Sequence, residues 1–160
     1  MKRICSLFLI VALLLFGQLA VFAAPETMAA DASGNSSGLI VITKPQNQKD
    51  STFNGAYIIS GYGKEGTVVT LYQYDFDSAD FKKVYSELKY IDENGGSQIL
   101  KTPSEVTIGT SGLFMNSISL KQGENLILVR AENGDEVQMM LLSVTKYNYN
   151  IIDLIKSLTD

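Results

Sequence analysis

Asp75, Asp77 and Asp80 stand in a D-x-D-x-x-D arrangement within a stretch that reads as a turn. Three carboxylates on one short loop supply the hard oxygen donors that Ca²⁺ takes. The spacing departs from the EF-hand loop, because Ala79 falls at the fifth position and no glycine follows at the sixth. A solvated turn is therefore the competing reading of the same residues. A second candidate is Tyr72 with Tyr74, two same-side neighbours on a regular strand that could stack on a sugar ring. The chain has no tryptophan, the strongest stacking platform, and cores also need aromatics.

Other chemistries are excluded by residue type. There is no histidine, so the commonest general base and metal ligand is missing. The single cysteine is Cys5, near the start of the chain, which leaves no thiol for disulfides or thiolate chemistry in the remainder. Seventeen acidic residues scattered over turns single out no pair for glycoside hydrolysis. Gly61-Tyr62-Gly63-Lys64-Glu65-Gly66 spells G-x-G-x-x-G after an apolar run. A dinucleotide site needs a helix to open at the third glycine, and Thr67-Val68-Val69-Thr70 is a poor helix start. These glycines read as turn residues between two antiparallel strands. No enzyme and no obligate cofactor is expected, with Ca²⁺ as the one open possibility.

The elements that position these residues follow a leader. Lys2 and Arg3 precede a run from Ile4 to Phe16 that is apolar but for Ser6, and Gly17 and several alanines follow up to Ala24-Pro25. The run is too short to span a bilayer, which takes about 20 apolar residues. It reads as a signal peptide over 1–23, cut after Ala23, with a later cut after Ala30 as the alternative. Residues 24–37 are small and polar and are expected to form a flexible linker, with Asn35-Ser36-Ser37 as a glycosylation triplet. The mature form is expected outside the cytoplasm with no membrane span. The formal net charge is −4, and Lys2 and Arg3 are the leader's sole charges, so the rest is more acidic still. That sign argues against nucleic acid as a partner.

From Gly38 onward, β-branched and aromatic runs alternate with turn residues at short spacing, which predicts an all-β domain over 38–147. Asn133-Gly134 predicts a type I′ hairpin turn, with Gly112 and Gly123 as further reversals. Phe81, Val84, Tyr85 and Leu88 have helical spacing, but turns before and after them favour strand for 81–91. Asp92 to Gly96 reads as a turn between Leu88–Ile91 and Ser97–Lys101. Ile151, Ile152, Ile155 and Leu158 share one helical face, so 148–160 is expected to be a short C-terminal helical tail.

Two stretches resemble a known family. Ile42-Thr43-Lys44-Pro45, Tyr57 to Gly61 and Gly66 to Tyr72 look like the first half of bacterial immunoglobulin-like domains. Val106 to Phe114, Ile118 to Ile127 and Val129-Arg130-Ala131 resemble the second half. The resemblance covers about 38–146 and is interrupted at 76–104. It implies an immunoglobulin-like antiparallel β-sandwich. By analogy it also implies a secreted, non-catalytic binding, adhesion or structural module of the cell envelope, holding a protein or a cell-wall polysaccharide on a strand face or through the 76–104 insertion, with a carbohydrate- or calcium-binding accessory module of an extracellular polysaccharide system as the alternative.

Overall fold

The computed structural model describes residues 24–148, so the expected signal peptide over 1–23 and all but the first residue of the expected helical tail over 148–160 lie outside the described residues. The described residues form an all-β structure with no helix. The first six strands are β1 (Thr27–Ala29), β2 (Ile40–Lys44), β3 (Lys49–Thr52), β4 (Ala56–Gly63), β5 (Val68–Asp75) and β6 (Asp80–Lys83). The last six are β7 (Tyr85–Ile91), β8 (Ser97–Pro103), β9 (Glu105–Thr107), β10 (Leu113–Ser119), β11 (Gly123–Asn133) and β12 (Glu136–Lys146). The expectation of strand over 81–91 holds, divided at Val84 between β6 and β7.

The strands make three sheets. A seven-stranded sheet runs β1-β6-β5-β11-β12-β3, with β9 also on β5; a three-stranded sheet runs β10-β4-β2; β7 and β8 pair only with each other. Alternation along the strands decides the core. Val69 and Leu71 of β5, Ile127, Val129 and Ala131 of β11, and Leu142 and Val144 of β12 face inward. They meet Ile40 of β2, Tyr57 and Ile59 of β4, and Phe114 and Ile118 of β10, so the two larger sheets share one core. Each such aliphatic side chain contributes about 1.5–3 kcal/mol when fully buried. Asn125 is the polar residue at its end: its amide donates to the carbonyls of Lys121, Gly123 and Val144 and its oxygen accepts from the Lys121 N–H, which locks the turn into β11.

Four expectations need correction. The structure is not wholly antiparallel, since β3 runs parallel to β12 along 49–52. The chain leaves β2 in the small sheet at Pro45 and joins the edge of the large sheet already pointing the same way as β12. Gly61 and Gly63 are strand residues, not turn residues. A Cβ on Gly61 would lie 2.1 Å from the Val41 carbonyl oxygen and one on Gly63 2.3 Å from that of Leu39, so β2 closes on β4 only because these side chains are absent. In the β11–β12 hairpin Asn133 pairs with Glu136, so the two loop residues are Gly134 and Asp135. Gly134 has φ +60° and Asp135 does not enter the left-handed region, which is the II′ rather than the I′ pattern. Asn133 is held by its side chain, which donates to Glu65 O and Thr67 Oγ1.

Finally, 24–37 is not a free linker. β1 pairs with β6, the Lys83 N–H donates to Glu26 O, and farther along the Ser36 N–H donates to Val137 O. Asn35 accepts from the Val137 N–H and donates to Asp135 O, and Gly34 lies against the β12 backbone. The segment is thus a strap from β6 to β12. Its small residues suit it to lie on backbone that larger side chains would hold away.

Candidate functional site

The large sheet's edge strand is interrupted. β6 and β9 lie end to end along one side of β5, and the chain between them leaves the sheet as the β7–β8 hairpin. The exit is pinned at three backbone bonds: Val84 N–H to Leu71 O (2.9 Å), Ser104 N–H to Val84 O (2.8 Å), and Leu71 N–H to Ser104 O (3.2 Å). Ser104 is fixed from the other sheet too, because its hydroxyl meets Asn116 Oδ1 and the Asn116 amide donates to Ser104 O. An arm of two seven-residue strands projects from this junction.

The tip is well closed. The Asp92 N–H donates to Gly96 O at 2.9 Å, and Gly95 takes φ +79°, which glycine reaches without a Cβ penalty. The Asp92 carboxylate accepts from Gln98 Nε2 and from the N–H groups of Gly96 and Asn94. The Gln98 bond leads these in holding the carboxyl below its ordinary range.

The arm's side chains are bare. Leu88 stands opposite Leu100 and Tyr90 opposite Gln98 on one face; Lys89 stands opposite Ile99 and Glu87 opposite Lys101 on the other. Leu88 is 62% exposed, Ile91 76%, and Ile99 and Leu100 each 52%. Glu87 and Lys101 form a surface ion pair at 3.1 Å. A groove of about 610 Å³ lies where the arm meets the body, walled by Asp75, Lys82 and Glu87 on one side and by Ser117, Ile118 and Lys121 on the other. At the base of β7 the Tyr85 hydroxyl donates to Glu26 of the strap, lowering the Glu26 carboxyl and raising the phenol.

The sequence candidates lie beside this arm and are used differently. Asp75 ends β5, Asp77 sits in the loop and Asp80 opens β6. Asp75 Oδ2 meets Lys82 Nζ at 2.5 Å and Asp75 Oδ1 accepts the Asp77 N–H, and the lysine is the main cause holding the carboxyl low. Asp80 accepts from the Ser78 hydroxyl. Each carboxylate of the pair that bonds is spent on its own turn, and among the described residues no group of three or more acidic side chains is arranged to hold a metal ion.

Tyr72 and Tyr74 do share the outer face of the large sheet, but Tyr72 offers no surface to a ligand. It is fully buried with Phe81 and Leu128, beneath the strap, and its hydroxyl donates to Pro25 O at 2.7 Å. Burial, above all, pushes its phenol well up. Tyr74 is half-buried, edge-on to Phe76 and Phe81 at 5.0 and 5.1 Å. The reason is the strap: a segment expected to be free covers these rings.

Compared with family models and with curated proteins, the chain matches none. The arm's residues were readable as two strands and a turn. Their exposure was not, since Leu-Lys-Tyr-Ile reads as a half-buried strand in any sequence.

Proposed function

We propose that this chain is a secreted, non-catalytic immunoglobulin-like protein of the cell envelope, and that it works as a binding or structural module through the β7–β8 arm. The observation that carries the reading is the arm itself, which leaves aliphatic residues bare on both faces of a two-stranded ribbon. Such exposure is costly to keep on a soluble surface and marks an interaction site. A protein partner fits these aliphatic side chains better than a polysaccharide, which takes aromatic faces and polar edges.

The strand order supports the immunoglobulin-like part. β5, β11 and β12 lie side by side in the order that strands C, F and G take in such domains, and β2, β4 and β10 in the order that A, B and E take. The Asn125 turn before β11 agrees with the family-like G-x-N run at Gly123-Glu124-Asn125.

The test is to shorten the arm to a tight turn joining Val84 to Ser104 and follow both stability and cell fractionation. The shortened protein should melt near the parent temperature yet leave the envelope fraction. Unchanged envelope association, or tight binding of a wall polysaccharide by both forms, would overturn the reading. N-terminal sequencing of exported protein, expected to begin at Ala24, checks the compartment.

A further inference from the structure

We infer that the partner of the arm is a second copy of this chain, joined through the free edge of β7 in an antiparallel, two-fold pairing centred on Leu88. The inference rests on the reading of the arm as the binding element and names what it binds.

Backbone parity comes first. The bonds joining Val84 to Ser104 and Asp92 to Gly96 mark even-numbered residues of β7 as the ones whose N–H and C=O face β8. Odd-numbered residues therefore point theirs away, as Lys83 already does toward Glu26 O. Among the described residues, no strand pairs with the outward backbone groups of Tyr85, Glu87, Lys89 and Ile91 along this edge. An open edge of this kind is a template for another strand.

The side chains then choose the occupant and the register. The strand reads Tyr85-Ser86-Glu87-Leu88-Lys89-Tyr90-Ile91. Turned on itself about Leu88, it sets Glu87 opposite the second copy's Lys89 and Lys89 opposite its Glu87, with Tyr85 opposite Ile91 at each end. All of these are odd-numbered pairs, so their outward backbone groups meet as hydrogen-bonded pairs. Leu88 meets Leu88 on the axis as a non-hydrogen-bonded pair, where side chains approach most closely, and Leu100 of each copy flanks them. The result is a continuous four-stranded sheet with a row of four leucines on one face. Lys89 makes no ion pair among the described residues, whereas Glu87 already touches Lys101 and would lie between two lysines.

Neighbouring registers fail on charge. Centring on Glu87 or on Lys89 sets like charges against each other, and the register about Leu88 also pairs all seven residues of β7. The outer edge of β8 does not have this property, since a turn about Leu100 sets Ile99 against Lys101. The two-fold pairing closes on itself, so it predicts a dimer rather than a filament.

The test uses charge reversal in the full chain. Sedimentation of the parent at rising concentration should show a monomer–dimer equilibrium. Glu87→Lys and Lys89→Glu should each weaken self-association by about tenfold or more, because two opposite-charge pairs become like-charge pairs. An equimolar mixture of the two variants should recover the dimer, since each then meets its complement. In a Cys5→Ser background, Leu88→Cys should form a disulfide-linked dimer on oxidation while Glu93→Cys at the tip should not. A parent that stays monomeric up to about millimolar concentration overturns the inference. So does a mixture no more associated than its components, or association beyond the dimer. A monomeric parent whose shortened-arm form still leaves the envelope fraction would sink the self-pairing and spare the arm's binding role.

Discussion

The β5–β6 hairpin carries Tyr72, Tyr74 and Phe81 on the outer face of the large sheet, and the β7–β8 hairpin that follows carries Leu88, Tyr90 and Leu100 on one of its own. The two are consecutive in the chain, similar in apolar content and each closed by a turn that an aspartate organises, Asp75 in one and Asp92 in the other. Their surroundings differ. β5 has β11 beside it, and the strap places Met28 against Phe81 and Pro25 O against Tyr72, so that outer face becomes a second small core with Leu128. Among the described strands, β7 and β8 pair only with each other. An isolated two-stranded ribbon is marginal in water, so the arm depends on its pinned base, its closed tip and whatever covers it. Burial belongs to the neighbours a strand acquires, not to the strand's own residues.

The widest gap between the two hairpins should appear on truncation. Phe81→Ala removes a buried ring beneath the strap and should cost about 3–4 kcal/mol. Leu88→Ala removes an exposed side chain and should change the stability of the monomer by no more than about 0.5 kcal/mol. Thermal melts at low protein concentration read both, and equal losses would erase the distinction between covered and bare.

The strap itself can be prised off without touching the hairpin it covers. A Cβ at Gly34 would sit 2.4 Å from Val137 O and 2.9 Å from Met139 N. Gly34→Val should therefore cost about 1–3 kcal/mol through overpacking. Amide exchange should rise in β1 and at Lys83, whose N–H donates to Glu26 O, while the exchange of the arm from Glu87 to its tip stays as it was.

The two tips offer a smaller and opposite pair. Ala79 closes β5–β6 at φ +56°, and Gly95 closes β7–β8 at φ +79°. Ala79→Gly should stabilise the protein by about 0.5–1 kcal/mol, while Gly95→Ala should cost about 1 kcal/mol. The first should raise the global melting temperature. The second should loosen only the arm, visible in the exchange of the Asn94 to Gln98 amides.

The gentlest probe is pH. The folded-state carboxyls of Asp75 and Asp92 are both held below their ordinary value of 3.8, so the turns they organise are supported above that value and lose support as pH falls through the folded pKa. In acid the arm tip should open first, because no other strand of the described residues pairs with β7 or β8, while the Asp75 turn is backed by Phe81. Exchange at Gly96 should quicken below about pH 4, and Asp92→Ala should remove that pH step.

Much of the local structure was legible. The alternation of Ile127, Val129 and Ala131, the strand character of 81–91 and the turn at Asp92–Gly96 all follow from residue types that act over a few positions. Positive φ at Gly112, Gly123 and Gly134 follows from the same rules. The hairpin turn after β11 was misplaced by one residue, because the Asn133 side chain is engaged across the molecule by Glu65 and Thr67 and so stays in the strand. Gly61 and Gly63 misled for a related reason: their role is close approach to β2, some twenty positions earlier in the chain.

The candidate site divides the same way. The sequence by itself determined the absence of histidine, the confinement of cysteine to Cys5, the all-β pattern and the self-complementary order of charges in β7. These need only the identities and spacing of residues. Only the tertiary structure decided that Tyr72 is sealed under the strap, that Asp75 is spent on Lys82, and that Leu88 and Leu100 are left bare. Each of those outcomes depends on which distant segment lies against a strand. The period-two pattern states which residues share a face, and the same pattern serves a face turned to the core and a face turned to solvent.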